Sequence, residues 1–368
     1  MHIVCNKQFL TEAVSNVSRA VSSKNTLPAL EGILLKARGD RLSLTGYDME
    51  LAISTEIEAK VFSPGEIVLS ARLFFDMIRK MPCEEISINS DEKLLTVIKG
   101  SMTEYTILGI PAADFPELPS VEETTELQIP QNTLKNMIGQ TLFAVAVSDN
   151  KPVHTGSLFD LKQGELNVVS VDGYRLALRH ETIGTDQTLS FIVPGKSLSE
   201  VSKLLKDEDD AVEIGVARRH ILFRIGGYEI ISRLLEGEFL DYHSAIPSGA
   251  ATTVKISTRE LIHAIERASL LISDNIKSPL RILFENGIIK ISCSTAIGRA
   301  YDEIPCDQNG DIVEIGFNNR YMLDALKACE CDEIQLILNG ALAPMKIVPP
   351  EGDSFTFLVL PVRLKSEI

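Results

Sequence analysis

Tryptophan is absent, and aromatic residues of all kinds occupy only 6% of the 368 positions. No stretch approaches the roughly 18 consecutive apolar residues that a membrane-crossing helix needs, which excludes such a helix. The opening residues, Met1-His2-Ile3-Val4-Cys5-Asn6, lack the charged start and apolar centre of an export signal, so export is not expected. Cysteine is sparse: six residues, at 5, 83, 293, 306, 329 and 331, lie scattered in apolar or charged surroundings. Without an export signal they read as reduced thiols, and the expected location is the cytoplasm. Positive charge is in deficit, with 36 Lys and Arg against 51 Asp and Glu and a net charge of −15. That argues against a protein that grips nucleic acid with its whole surface or lies on an anionic membrane. A local basic face is still allowed.

Catalytic patterns are missing too. Val193-Pro194-Gly195-Lys196-Ser197 looks like the end of a phosphate-binding loop, but the pattern requires glycine at 190, where this chain has Ser190. Cys329 and Cys331 flank one residue with no histidine nearby, a spacing that does not suit zinc. The six histidines, at 2, 154, 180, 220, 243 and 263, are isolated from partners for general base work. Asp207-Glu208-Asp209-Asp210 reads as a solvated loop, and neither G-x-S-x-G nor H-E-x-x-H occurs. No catalytic residue, metal or cofactor is expected.

What the chain has is repetition. A helical segment at 70–81 recurs 124 positions later at 194–205, and 124 later again at 318–329. Basic residues stand in register at 72, 196 and 320 and at 79, 203 and 327, with acids at 76, 200 and 324. A second register carries leucines at 10, 134 and 261, each opening an amphipathic helix after a short strand-like run. Asn6, Asn132 and Ser257 or Thr258 are available to cap these helices. Period-two strands follow each helix, separated by Gly39-Asp40, Gln163-Gly164 and Asn286-Gly287, which signal antiparallel hairpins. The unit is strand-helix-strand-strand-strand, used six times in three domains. Connectors at 114–119 and 238–242 place the boundaries near 124 and 251, giving domains 1–124, 125–251 and 252–368. The fold class is α+β.

The repeat organises the charge. The six expected helices together carry +6, leaving −21 for everything else. Arg72 and Arg79 are seven apart and share one helix face, as do Lys196 and Lys203, and Arg320 and Lys327. One such helix is an ordinary solvated surface. Recurrence in each repeat puts a basic stripe on equivalent surfaces, to which a polyanion would be drawn. The residues alone favour a scaffold. They leave open an enzyme acting on sugars or nucleotides through repeated antiparallel sheets, and a monomeric protein-interaction scaffold.

Four strings go further: Leu27-Pro28-Ala29-Leu30, Ile110-Pro111-Ala112-Ala113-Asp114-Phe115-Pro116, Val171-Asp172-Gly173-Tyr174-Arg175-Leu176-Ala177 and Leu360-Pro361-Val362-Arg363-Leu364. With them the whole chain resembles the bacterial sliding clamps, the beta subunits of DNA polymerase III. The resemblance implies a DNA clamp fold: a head-to-tail homodimer ring of six domains, antiparallel sheets outside and helices lining the hole. It implies a non-catalytic processivity factor that encircles duplex DNA without reading sequence. Partners would be the replicative polymerase catalytic subunit, the clamp loader, and other polymerases and repair proteins carrying short linear peptides, with no membrane.

Position by position, the resemblance puts Lys24, Arg72, Arg79, Lys80, Lys135, Lys151, Lys196, Lys203, Arg320 and Lys327 against DNA. It has Tyr105 and Ile107 on a first-domain edge strand meet Leu270 and Leu271 of a third domain across the dimer interface, a heterologous contact that closes. A partner-peptide pocket would comprise Thr155, Val171, Gly173, Tyr174, Arg175, Leu176, Leu240, Ala245, Ile246, Pro344, Met345, Leu358, Leu360, Pro361, Val362 and Arg363. Departures from the family pattern are Pro152 and Val153 where some members place aromatics beside DNA, His154 for an apolar residue, Leu240 for proline and Ser244 for arginine. Lys365-Ser366-Glu367-Ile368 extend past the usual end, as a disordered tail or a shield over the pocket.

Overall fold

The computed structural model describes residues 1–22, 26–122, 124–148, 151–273 and 278–364; Lys24 and the tail 365–368 lie outside this range. Seven α-helices are formed among the described residues: α1 (Lys7–Val17), α2 (Ala71–Lys80), α3 (Gln131–Thr141), α4 (Gly195–Leu204), the short α5 (Tyr242–Ala245), α6 (Thr258–Ala268) and α7 (Asn319–Lys327). The six long ones stand where the periodicity predicts them. The leucines of the first register, Leu10, Leu134 and Leu261, are all buried, and so are Phe74, Leu198 and Met322 in the second. That is the expected result of an apolar stripe at helical spacing facing a sheet.

Helix starts follow the predicted chemistry in two of three copies. Asn6 accepts from the backbone N–H of Gln8 and Phe9 at the start of α1, and Ser257, rather than Thr258, accepts from Glu260 N–H at α6. α3 instead begins one residue before Asn132, whose Nδ2 donates to Asp209 at 2.6 Å. α1, α3 and α6 each run out into a 3₁₀ turn, at 18–20, 142–144 and 269–271.

Every strand pair is antiparallel. The turns Gln163-Gly164 and Asn286-Gly287 hold positive φ at both residues (52° and 81°; 52° and 77°), the two-residue turn whose twist matches flanking strands. One strand, Asp307–Gly310, takes the place in the third repeat that the second half of Leu51–Ser63 takes in the first, where it pairs with His2–Cys5. It pairs with Thr252–Lys255, the Gln308 amide also bonds Gly287 N–H and Phe284 O, and its polar sequence carries no alternation from which it could be read.

Chain contacts divide the protein into two compact units: Met1–Asn132 with Glu200–Leu234, and Thr133–Ser199 with Leu235–Ile368. The middle repeat therefore contributes to both. In the first unit a 12-stranded sheet forms because the 13-residue strand Leu51–Ser63 serves two neighbours. Its first half pairs with Tyr228–Ser232 and its second half with His2–Cys5. Helices α1 and α2 pack together and against this sheet. In the second unit a nine-stranded sheet joins the start of the middle repeat to the end of the third through Arg175–Arg179 paired with Phe355–Val359. A separate four-stranded sheet holds Leu280–Glu285, Ile288–Thr295, Gly298–Pro305 and Val313–Phe317. The core of this unit is one large cluster in which Leu261, Ile265, Met322 and Leu326 of α6 and α7 meet Ile282, Phe284, Phe317, Ile347 and Phe357 of the strands.

Candidate partner-binding cleft and basic helix faces

The second unit builds a cleft on the face of its nine-stranded sheet away from that core. Residues directly opposite on neighbouring antiparallel strands share a face. Val171 lies opposite Leu176, and Leu176 opposite Leu358, so these three form one apolar row. All are buried, in a cluster with Val153, Leu158, Val169, Ile192 and Tyr242. The chain at 235–246 packs over the row through Leu235, Phe239, Ala245 and Ile246. Tyr242 pins this segment: its buried hydroxyl donates to Asp160 Oδ2 at 2.8 Å. Burial, then the bond to Asp160, push the Tyr242 phenol well above its ordinary range, so the proton stays on the tyrosine oxygen.

Around this buried floor the apolar side chains of Tyr174, Leu240 and Leu360 stand exposed, and Val362 is exposed farther along, beside Gly316. A row of exposed apolar groups bordering a buried apolar floor is what a short apolar peptide segment needs. Thr155 lies half-buried with its hydroxyl donating to Pro152 O at 2.7 Å, and neighbouring His154 meets Phe239 edge-on at 5.7 Å. Gly173 takes φ of 84°, a backbone position that favours glycine. Pro344 and Pro361 are half-buried and Arg363 exposed. Met345 is a correction to the sequence expectation. Alternation along Met345–Val348 turns its side chain the other way, and it is wholly buried in the α6/α7 core beside Ile347.

Arg175 is the polar centre. Its Nε donates to Asp172 Oδ2 at 2.9 Å and its Nη1 to Asp324 Oδ2 on α7 at 2.5 Å. The guanidinium lies 4.6 Å from the Tyr321 ring centre and 5.5 Å from that of Phe143. Tyr321 stacks on Tyr174 at 5.8 Å. Asp172 Oδ1 also accepts from the N–H groups of Tyr174 and Arg175, fixing the turn. The C-terminal segment is tied in by Leu360 N–H donating to Tyr174 O and Val362 N–H to Gly316 O. Sequence reasoning missed Asp160, Phe143, Tyr242 and Tyr321 here. Asp324 was visible only as a charge column, without its partner.

The basic helix residues are at the surface. Arg72, Arg79 and Lys80 on α2, Lys196 and Lys203 on α4, Arg320 and Lys327 on α7, and Lys151 are exposed, while Lys135 on α3 is half-buried. The acidic column moderates the stripe. Arg79 pairs with Asp76 at 3.3 Å and Lys203 with Glu200 at 2.7 Å, each three positions apart on its own helix. In the third copy the pattern breaks: Asp324 turns to Arg175, and Lys327 pairs with Glu266 of α6 at 2.8 Å.

The four interface candidates fall on two borders. Strand Thr103–Leu108 pairs on one side only among the described residues, with Leu95–Gly100, setting Tyr105 opposite Ile98 and Ile107 opposite Thr96. Leu270 is 82% exposed in the turn after α6, whereas Leu271 packs partly into the core of its own unit. Strand Gly298–Pro305 is likewise paired on one side only among the described residues, with Ile288–Thr295.

Models of the DNA polymerase III beta subunit match consecutive stretches: the N-terminal domain at residues 1–119, the central domain at 128–241 and the C-terminal domain at 243–363. The chain is similar to the beta sliding clamp of Bacillus subtilis, at 36% identity over 99% of this chain and all of that protein. It is also similar to the beta sliding clamp of Staphylococcus aureus, at 32% identity over 99% of each. Among solved structures, the Bacillus subtilis DNA polymerase sliding clamp superposes with a TM-score of 0.95 at 36% identity, covering 99% of this chain and all of the other. The DNA polymerase III subunit beta of Pseudomonas aeruginosa gives 0.93 at 29%, with the same coverage.

Proposed function

The chain belongs to the DNA polymerase III beta subunit family, the bacterial sliding clamps, and we propose from that premise which of its residues do the clamp's work. It is a non-catalytic processivity factor that forms a dimer ring on duplex DNA and tethers the polymerase. Topology explains the modest basic charge. A protein held by many phosphate contacts moves poorly, whereas a closed ring stays on an intact duplex with weak, salt-sensitive contacts. The exposed basic residues of α2, α4 and α7, with Lys135 and Lys151, are the ones we assign to the DNA side. Their partial neutralisation by Asp76, Glu200 and Glu266 suits sliding, because each contact is easily broken.

We assign the apolar cleft of the second unit to partner peptides of the polymerase, the clamp loader and repair proteins. The observation that carries it is the buried Val171–Leu176–Leu358 row bordered by exposed Tyr174, Leu240 and Leu360. Met345 is left out of this assignment. Tyr105, Ile107 and Leu270 we assign to the dimer contact, with three domains bounded near 124 and 251. The working place of the protein is then the cytoplasm, on replicating DNA.

Loading by the ATP-driven clamp loader onto nicked circular and linear duplex tests the topological reading. Retention on circles and loss when the circles are cut are expected; equal retention on both would overturn it.

A further inference from the structure

The first unit contains a second frame built like the partner cleft. Moving back 124 positions from Leu158, Ile192 and Phe239 leads to Leu34, Val68 and Phe115, which share one apolar cluster as their counterparts do. The strand register repeats: Tyr47 lies opposite Ala52 and Ala52 opposite Ile231, as Val171 does Leu176 and Leu176 does Leu358. Asp48 Oδ1 accepts from the N–H groups of Glu50 and Leu51, matching the turn that Asp172 fixes. Arg233 N–H donates to Glu50 O at 2.9 Å, matching Leu360 N–H to Tyr174 O at 2.9 Å. Met49 holds φ of 78° where Gly173 has 84°. For a residue with a side chain that conformation is strained, so the frame imposes it.

Inside the shared frame the chemistry is opposite. Tyr47, buried with its hydroxyl donating to Met49 O at 3.3 Å, stands where the working cleft has the smaller Val171. Exposed Glu50 and Arg233 occupy the rim places of Tyr174 and Leu360. Leu51, wholly buried, replaces Arg175. An apolar peptide entering here would meet a phenol ring at floor level and strip water from two charges at the rim, a cost with nothing to offset it.

We infer that the first unit carries a second partner cleft that its own side chains deny to an apolar peptide, with Tyr47 filling the floor, Glu50 and Arg233 charging the rim, and the open cavity beside Leu34 and Phe115 lined by charges such as Lys36, Glu56 and Arg224. The fold thus frames two clefts per protomer and presents one. This rests on the assignment of the second unit's cleft to partner peptides, and the test separates the two.

The experiment titrates the dimer with a peptide from the replicative polymerase catalytic subunit, reading stoichiometry by calorimetry and native mass spectrometry. The wild-type protein is expected to bind one peptide per protomer and to lose it when Tyr174→Ala and Leu360→Ala are combined. Binding that survives this pair overturns the partner-cleft assignment itself. The exchange Tyr47→Val, Glu50→Tyr, Ala52→Leu and Arg233→Leu is expected to raise the stoichiometry to two, the second site within about a hundredfold of the first in Kd. Should the fourfold variant not fold, Tyr47→Val with Arg233→Leu is expected to give the same second site more weakly. Two peptides on the wild type, or one on every folded exchange variant, overturns the inference.

Discussion

Arg175 is held by two carboxylates and two aromatic faces at once, so its guanidinium is oriented before any partner arrives. The planar fork is what lets it serve Asp172 and Asp324 together, and lysine cannot reproduce that geometry. Both Arg175→Ala and Arg175→Lys are therefore expected to weaken partner-peptide binding by about tenfold or more, leaving the dimer intact; fluorescence polarisation measures it. His220 offers a pH effect. Burial, then the nearby Arg233 and Arg219, hold its imidazole below the ordinary 6.5. The unfolded chain thus binds this proton more readily than the folded one, so stability is unaffected above about pH 6.5 and falls as pH drops below it. His220→Gln is expected to flatten that part of a stability-against-pH curve measured by denaturant unfolding between pH 7 and 5.

At the scale of elements, reversal of Arg72, Lys196 and Arg320 to glutamate is expected to weaken DNA association and processive synthesis at physiological salt while the dimer persists. Primer extension with size-exclusion chromatography distinguishes this from misfolding. The six long helices and most strands were legible because each buries one face, and burial writes a period into the sequence. The pairing of Lys327 with Glu266 was not legible, since the end of α6 and the start of α7 are 51 positions apart. Met345 was misplaced because a four-residue strand is too short for its alternation to declare a face. Asp307–Gly310 was missed because its run of polar residues shows no alternation of apolar and polar positions. In the cleft, residues carried by local strings were found, whereas those that lock Arg175 and the 235–246 segment from other elements were not.

For the whole molecule, the assigned dimer contact is open to test by single substitutions. Ile107→Asp and Leu270→Asp would each place a carboxylate in the assigned apolar contact, and both are expected to shift the protein toward monomer at micromolar concentration, with sedimentation analysis as the check. Strand Thr103–Leu108, which carries the assigned Tyr105 and Ile107, then acquires a further meaning. A newly made chain that has not met its mate carries an adhesive ribbon whose outer N–H and C=O groups, without a strand partner among the described residues, can template pairing with any passing strand. Assembly therefore doubles as sanitation: under-expression or slow mating would show first as clumped, protease-prone protein, before any slackening of replication.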